Sequence, residues 1–109
     1  LTKYGEKEGH EALAARLEAL KQAVPGLKVY VVSGNHDLRN ANAMNFNTED
    51  GAAVPAGRTE PEDFKEIYNE VTYGDESIIA AYTPPEGKEA GGLSYAARPA
   101  EGYTVIAID

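Results

Sequence analysis

A helical period, a proline–glycine stop and an apolar run follow one another near the start of this chain, and that order restricts the folds open to it. Within Glu6 to Ala23, Leu13, Leu17 and Leu20 recur on one helical face that Val24 continues. Ala12, Ala14, Ala15 and Ala19 fill gaps, and charges take the other faces. Pro25-Gly26 stops the helix. Leu27 to Val32 is apolar on both faces apart from Lys28, which predicts a strand buried on both sides, as in a parallel sheet covered by helices. Helix, short turn and buried strand form half of a βαβ unit whose first strand would precede Leu1. The expected fold class is therefore α/β. The chain begins at Leu1 without methionine and stops at Asp109 directly after an apolar run. Residues 1–109 are thus expected to be one partial domain, cut at both ends from a longer protein.

Beyond the strand, Leu38 to Arg58 has no visible period and is rich in asparagine, alanine and glycine. A connection of about 20 residues is long for a compact domain, and such loops cover a functional site or move. Within it, Asn45, Asn47, Glu49, Asp50 and Gly51 have the outline of a calcium loop. Its glycine is one position late, however, and Ala56 stands where the bidentate glutamate belongs, so it reads as a polar loop. A second helix starts at Thr59 as cap, with Pro61 in its first turn and Glu62 closing a capping box. Phe64, Ile67, Tyr68 and Val71 form its apolar face, and Tyr73-Gly74 ends it. Ser77 to Tyr82 is a short apolar stretch of undecided type. Leu93 to Arg98 and Tyr103 to Ile108, joined by Pro99-Ala100-Glu101-Gly102, read as a terminal β-hairpin.

The chemistry concentrates at Gly34-Asn35-His36-Asp37, directly after the apolar run. In α/β folds, ligands sit beyond the carboxyl ends of strands. Two readings stand. Gly, Asn and Asp are turn formers, and a turn accounts for all four residues. The same residue types also suit phosphoryl chemistry: an asparagine carbonyl can bind a divalent cation without adding charge, and a histidine can donate to a leaving-group oxygen. A neighbouring aspartate can orient that histidine and hold it cationic. Arg39 and Asn40 follow closely and are candidate substrate-phosphate contacts, a surface role being the alternative. His10, between Glu8 and Glu11, reads as a solvated surface residue, and the tyrosines as edge-of-core residues with wet hydroxyls.

The segment Val29-Tyr30-Val31-Val32-Ser33-Gly34-Asn35-His36-Asp37 resembles a signature block of the calcineurin-like metallophosphoesterases, in which a hydrophobic strand runs into Gly-Asn-His-Asp or Gly-Asn-His-Glu. Leu1 to His10 resembles the stretch after the family's Gly-Asp block in bacterial phosphohydrolases. Pro61 to Tyr68, with Leu93 to Ala96, resembles their helical insert and following strand. The resemblance implies a layered helix–sheet–sheet–helix sandwich. It also implies two divalent cations (manganese, iron, zinc or magnesium) roughly 3.5–4 Å apart, acting on a phosphate-ester substrate. On that basis Asn35 is a metal ligand and His36 stabilises developing charge on the substrate, with Asp37 holding His36. The family's Asp-x-His, Gly-Asp and Gly-His-x-His blocks are not in these residues. The chain by itself is therefore not expected to assemble the dinuclear centre, and the chemistry belongs to a longer parent.

The rival class is a non-catalytic fragment or binding domain that engages a partner through the loop 38–58. Composition removes other classes. Eighteen acids against 10 bases, a net charge of −8, leave no basic face for a nucleic-acid backbone. No apolar stretch approaches the ~20 residues of a membrane span. The absence of cysteine excludes disulfides and zinc–thiolate sites and leaves the compartment open. A doubly apolar strand without its upstream neighbour is also expected to drive self-association.

Overall fold

The computed structural model describes residues 1–46, 48–88 and 90–109. The fold is mixed α/β: helix α1 (Lys7–Ala23), a two-residue ribbon β1 (Met44–Asn45) and β2 (Val54–Pro55), helix α2 (Pro61–Ile67), and strands β3 (Ile78–Ala81), β4 (Tyr95–Ala97) and β5 (Val105–Ala107). No helix among the described residues is long and apolar enough to cross a membrane.

Helix α1 forms where its period predicts and stops at the expected turn. Val24 N–H returns to Leu20 O at 3.0 Å, and Gly26 takes a φ of +80°, where a side chain would be strained. Its buried stripe differs from the leucine face expected. His10 and Ala14 are buried and Leu17 packs on the core, whereas Leu20 and Val24 are exposed. The stripe lies on the side that faces α2, so it follows His10, Ala14 and Leu17, which share one helical face.

The segment 27–32, expected as a strand buried on both sides, belongs to no ladder among the described residues, and Val32 is exposed. Side chains satisfy the backbone of Val31 and the Val29 carbonyl. Thr72 Oγ1 donates to Val29 O (2.9 Å) and accepts from Val31 N–H (3.2 Å), and Tyr95 OH donates to Val31 O (2.8 Å). Apolarity on both faces specifies burial, and only Val31 attains it fully. Strand pairing requires a neighbour of suitable direction, and the nearby chain offers a helix and tyrosines instead.

Thr72 reaches this segment because α2 widens after Tyr68 into a π-helical turn, Asn69–Tyr73, in which Tyr73 N–H returns to Tyr68 O and Gly74 N–H to Asn69 O. Lys21 Nζ from α1 donates to Glu70 O and Val71 O at 2.9 and 2.8 Å, so a cation covers carbonyls within that turn. Lys21 and Lys28 also pair with Asp75. The start of α2 corrects the expected cap. Glu60, not Thr59, is the N-cap, and Asp63, not Glu62, closes the capping box. Thr59 is buried instead, donating through Oγ1 to Gly5 O at 2.9 Å.

The sheets that form are antiparallel. In β3-β4-β5, Tyr95 pairs with Ala107 and Ala97 with Val105, which bears out the terminal hairpin, and Ser77 to Tyr82 contributes the third strand. Tyr95 and Ala97 point inward and Ala96 does not, the alternation expected of a sheet with one covered face. The stretch 38–58 is less irregular than expected, because Met44–Asn45 pairs with Val54–Pro55; Asn47 of the calcium-like pattern lies outside the described residues.

Ala14, Val31, Phe64, Tyr68, Val71 and Leu93 form the core, backed by Leu17, Val29, Leu38, Ile67 and Tyr73. Burying a side chain such as Phe64 contributes roughly 1.5–3 kcal/mol. The tyrosines correct a further expectation. Tyr68 and Tyr95 are buried with bonded hydroxyls, to His10 and Val31 O, and burial pushes each phenol up to about 12.

Candidate functional site

Gly34 to Asp37 is a closed turn. Asp37 N–H donates to Gly34 O at 3.1 Å, and Gly34 N–H donates to Asp37 Oδ2 at 2.8 Å, so backbone and side chain close the same loop from both ends. Gly34 permits this close approach, since a Cβ there would lie 3.3 Å from Asp37 Oδ2.

Asp37 is fully buried, and its carboxylate is bonded to residues other than His36. Its Oδ1 accepts from Thr2 N–H (2.6 Å) and Thr2 Oγ1 (3.0 Å), and Leu1 N lies 3.0 Å from Oδ2. Burial raises the carboxyl, but the hydrogen bonds from Thr2, Gly34 and Leu1 outweigh it and hold the group below its ordinary value. Asp37 is therefore an ionised hub that fastens the first residues of the chain to the turn. The expected Asp37–His36 contact is replaced by this one, because the nitrogens of Leu1, Thr2 and Gly34 and the Thr2 hydroxyl take up the carboxylate.

His36 and Asn35 are exposed. His36 Nδ1 lies 3.0 Å from Lys3 O, an atom that can only accept, so Nδ1 carries a proton and Nε2 is left for another partner. Among the described residues the Asn35 carboxamide makes no hydrogen bond. The turn thus presents two side chains outward, one with an open ring nitrogen and one with an open amide oxygen, while Asp37 anchors it from within.

The two residues proposed as substrate contacts are engaged. Asn40 Nδ2 donates to His36 O (3.2 Å) and its Oδ1 accepts from Asn42 N–H (3.0 Å), so it braces the turn. Arg39 has a φ of 50°, donates its N–H to Thr59 O (2.9 Å), and pairs through Nε with Glu60 Oε2 (3.0 Å). Glu60 also pairs with Arg58 at 2.9 Å.

Sequence reasoning missed the residues beneath the turn, and His10 above all. It is fully buried rather than solvated, with Nδ1 3.0 Å from Tyr68 OH and Nε2 3.3 Å from Asp37 O, 3.4 Å from Thr2 Oγ1 and 3.7 Å from Asp37 Oδ1. Burial holds its imidazole below the ordinary value against the pull of Asp37, so it is neutral at pH 7. One local signal pointed to it: His10, Ala14 and Leu17 share a helical face. Gly5 is the second omission. Its φ is +69°, and a Cβ there would lie 2.7 Å from His36 O.

The donors present do not by themselves fit a metal centre. Asn35 offers one neutral oxygen, the Asp37 carboxylate is consumed by Thr2 and Gly34, and among the described residues no three His, Asp or Glu side chains converge as a cation site. Compared with known proteins, the chain matches no family model and no curated protein.

Proposed function

We propose that this chain supplies one wall of a metal-dependent phosphoesterase of the calcineurin-like class, which hydrolyses a phosphomonoester or phosphodiester. The observation that carries the reading is the Gly34–Asp37 turn at the end of an apolar segment, with Asn35 and His36 exposed and Asp37 buried as its anchor. In this reading the turn joins a layered helix–sheet–sheet–helix sandwich whose other ligand-bearing blocks are not among these residues. Divalent cations in such an enzyme activate hydroxide and neutralise phosphoryl charge. Asn35 would offer them a neutral oxygen. His36, with Nδ1 donating to Lys3 O, would hold Nε2 toward a phosphoryl or leaving-group oxygen; in its doubly protonated imidazolium form it would donate the Nε2 proton there and remain as the neutral Nδ1–H ring. Asp37 would act through the turn, not through the histidine ring.

The test compares the 109-residue chain with a longer one carrying the missing blocks, each assayed for aryl-phosphate hydrolysis with manganese or magnesium added. Turnover is expected in the longer chain and none in the shorter. Turnover by the shorter chain would show those blocks to be dispensable, and none in either would remove the reading.

A non-catalytic role is favoured by a different observation: Val54 on the ribbon of the 38–58 segment and Phe46 directly after its first strand are exposed. A partner docking there would leave the Asn35–His36 turn uninvolved, and substitution of Phe46 would weaken that contact without changing hydrolysis.

A further inference from the structure

Tyr68, His10 and the Asp37 carbonyl form a buried chain of hydrogen bonds from α2 through α1 to the turn, and proton counting fixes its direction. The Asp37 carbonyl can only accept, so His10 Nε2 must carry the ring proton. The Thr2 hydroxyl proton goes to Asp37 Oδ1, which leaves Thr2 Oγ1 an acceptor toward His10 as well as toward Gly5 N–H at 3.0 Å. In the neutral ring Nδ1 is then an acceptor, and Tyr68 OH must donate to it. Every buried polar side-chain atom among the described residues is satisfied, so no other arrangement is needed to pair the group. The ring also packs edge-on against Phe64 and Tyr68, with centroids 5.2 and 5.8 Å away.

We infer that His10 is a positioning residue, held as the Nε2–H tautomer by Tyr68, and that its bond to the Asp37 carbonyl sets the orientation in which the Gly34–Asp37 turn presents Asn35 and His36. The Asp37 carboxylate fastens the turn to Thr2, and the Asp37 carbonyl fastens it to the helix pair. The two attachments meet at Thr2 Oγ1, which lies 3.0 Å from Asp37 Oδ1 and 3.4 Å from His10 Nε2, so Asp37 is held through its side chain and its backbone at once. Calling this role functional rests on the proposed reading of the turn. The hydrogen bonds themselves do not, and the test reads the turn directly, so a failure here is separable from a failure of the phosphoesterase proposal.

The experiment is nuclear magnetic resonance on the full 109-residue chain, wild type and variants. Long-range proton–nitrogen spectra are expected to show His10 protonated at Nε2 and bare at Nδ1; the reverse tautomer would overturn the inference. His10→Phe keeps the ring packing and removes both hydrogen bonds. It is expected to raise amide exchange at Thr2, Gly34 and Asp37 about tenfold, the equilibrium weight of one buried hydrogen bond, and to shift the Asn35 and His36 signals. Amides of Phe64, Tyr68 and Val71 are expected to keep their protection. Equal loss across the core would mean that His10 serves packing alone, and an unmoved turn would equally refute the role. His10→Gln, which can restore a donor, is expected to recover part of the turn's protection. Should His10→Phe not fold, Tyr68→Phe removes only the hydroxyl and must shift the same turn residues in the same direction, or the inference falls.

Discussion

Replacing Asp37 with asparagine isolates the carboxylate that fastens the turn. The side chain is fully buried, and its two oxygens receive Thr2 N–H at 2.6 Å, Thr2 Oγ1 at 3.0 Å and Gly34 N–H at 2.8 Å. A carboxamide has one oxygen. It can keep the Thr2 pair or the Gly34 bond, and its NH2 then faces a donor on the other side. At minimum the variant loses one hydrogen bond to a charged group, worth about 1.5–3 kcal/mol, and weakens the rest. The expected destabilisation is about 2–4 kcal/mol out of the 5–15 typical of a domain. The sign of its pH dependence follows from the lowered carboxyl. A group held below its unfolded value stabilises the fold above that value and ceases to do so as pH falls through the folded one. The gap between wild type and Asp37→Asn should thus be constant from about pH 5 to 8 and close below about pH 4. Urea unfolding followed by tyrosine fluorescence measures it, since the chain has no tryptophan. A gap under about 0.5 kcal/mol at pH 7, or one that ignores acidification, would refute the account of Asp37 as an ionised anchor.

Three other outcomes follow from the same geometry. Gly5→Ala places a methyl group 2.7 Å from His36 O at a φ of +69°, so urea unfolding should show a loss of about 2–3 kcal/mol; a neutral result would mean the contact yields freely. Thr72→Val keeps the shape but strips the partner from both Val29 O and Val31 N–H, for an expected loss of about 2–4 kcal/mol that Thr72→Ser should largely avoid. Ile106 and Ile108 on and beside β5 are 70% and 78% exposed, and light scattering is expected to report self-association that Ile106→Lys with Ile108→Lys reverses. A monodisperse monomer at high concentration would count against that last expectation.

Much of the architecture was legible because it is local. The period of α1, the Pro25-Gly26 stop, the Phe64–Val71 face and the hairpin around Gly102 all depend on neighbours within a few positions. The turn at Gly34 was legible for the same reason. What sequence could not place was determined across the fold. His10 is flanked closely by Glu8 and Glu11, and its burial depends on Tyr68 and Asp37, 58 and 27 positions away. Asp37 was expected to face its neighbour His36, but Thr2 recruits its carboxylate over 35 positions. The doubly buried strand expected over 27–32 joins no ladder among the described residues, and only the apolarity of these residues was readable. Their hydrogen-bond partners were not, because Thr72 and Tyr95 reach them through a π-helical turn and a strand that no local pattern announces. At α2 the error was one position: Thr59 and Glu60 both suit a cap, and the pull of Gly5 O on Thr59 decided between them.

The central claim is that the outward face of the Gly34–Asp37 turn serves phosphoester chemistry. Its most direct test is His36→Ala in a longer chain that carries the missing blocks, with turnover of an aryl phosphate and metal content measured on the same samples. A general acid at Nε2 predicts a loss of kcat of about 100-fold or more, with metal content nearly unchanged. Turnover equal to wild type, with the variant folded and metal-loaded, would contradict it.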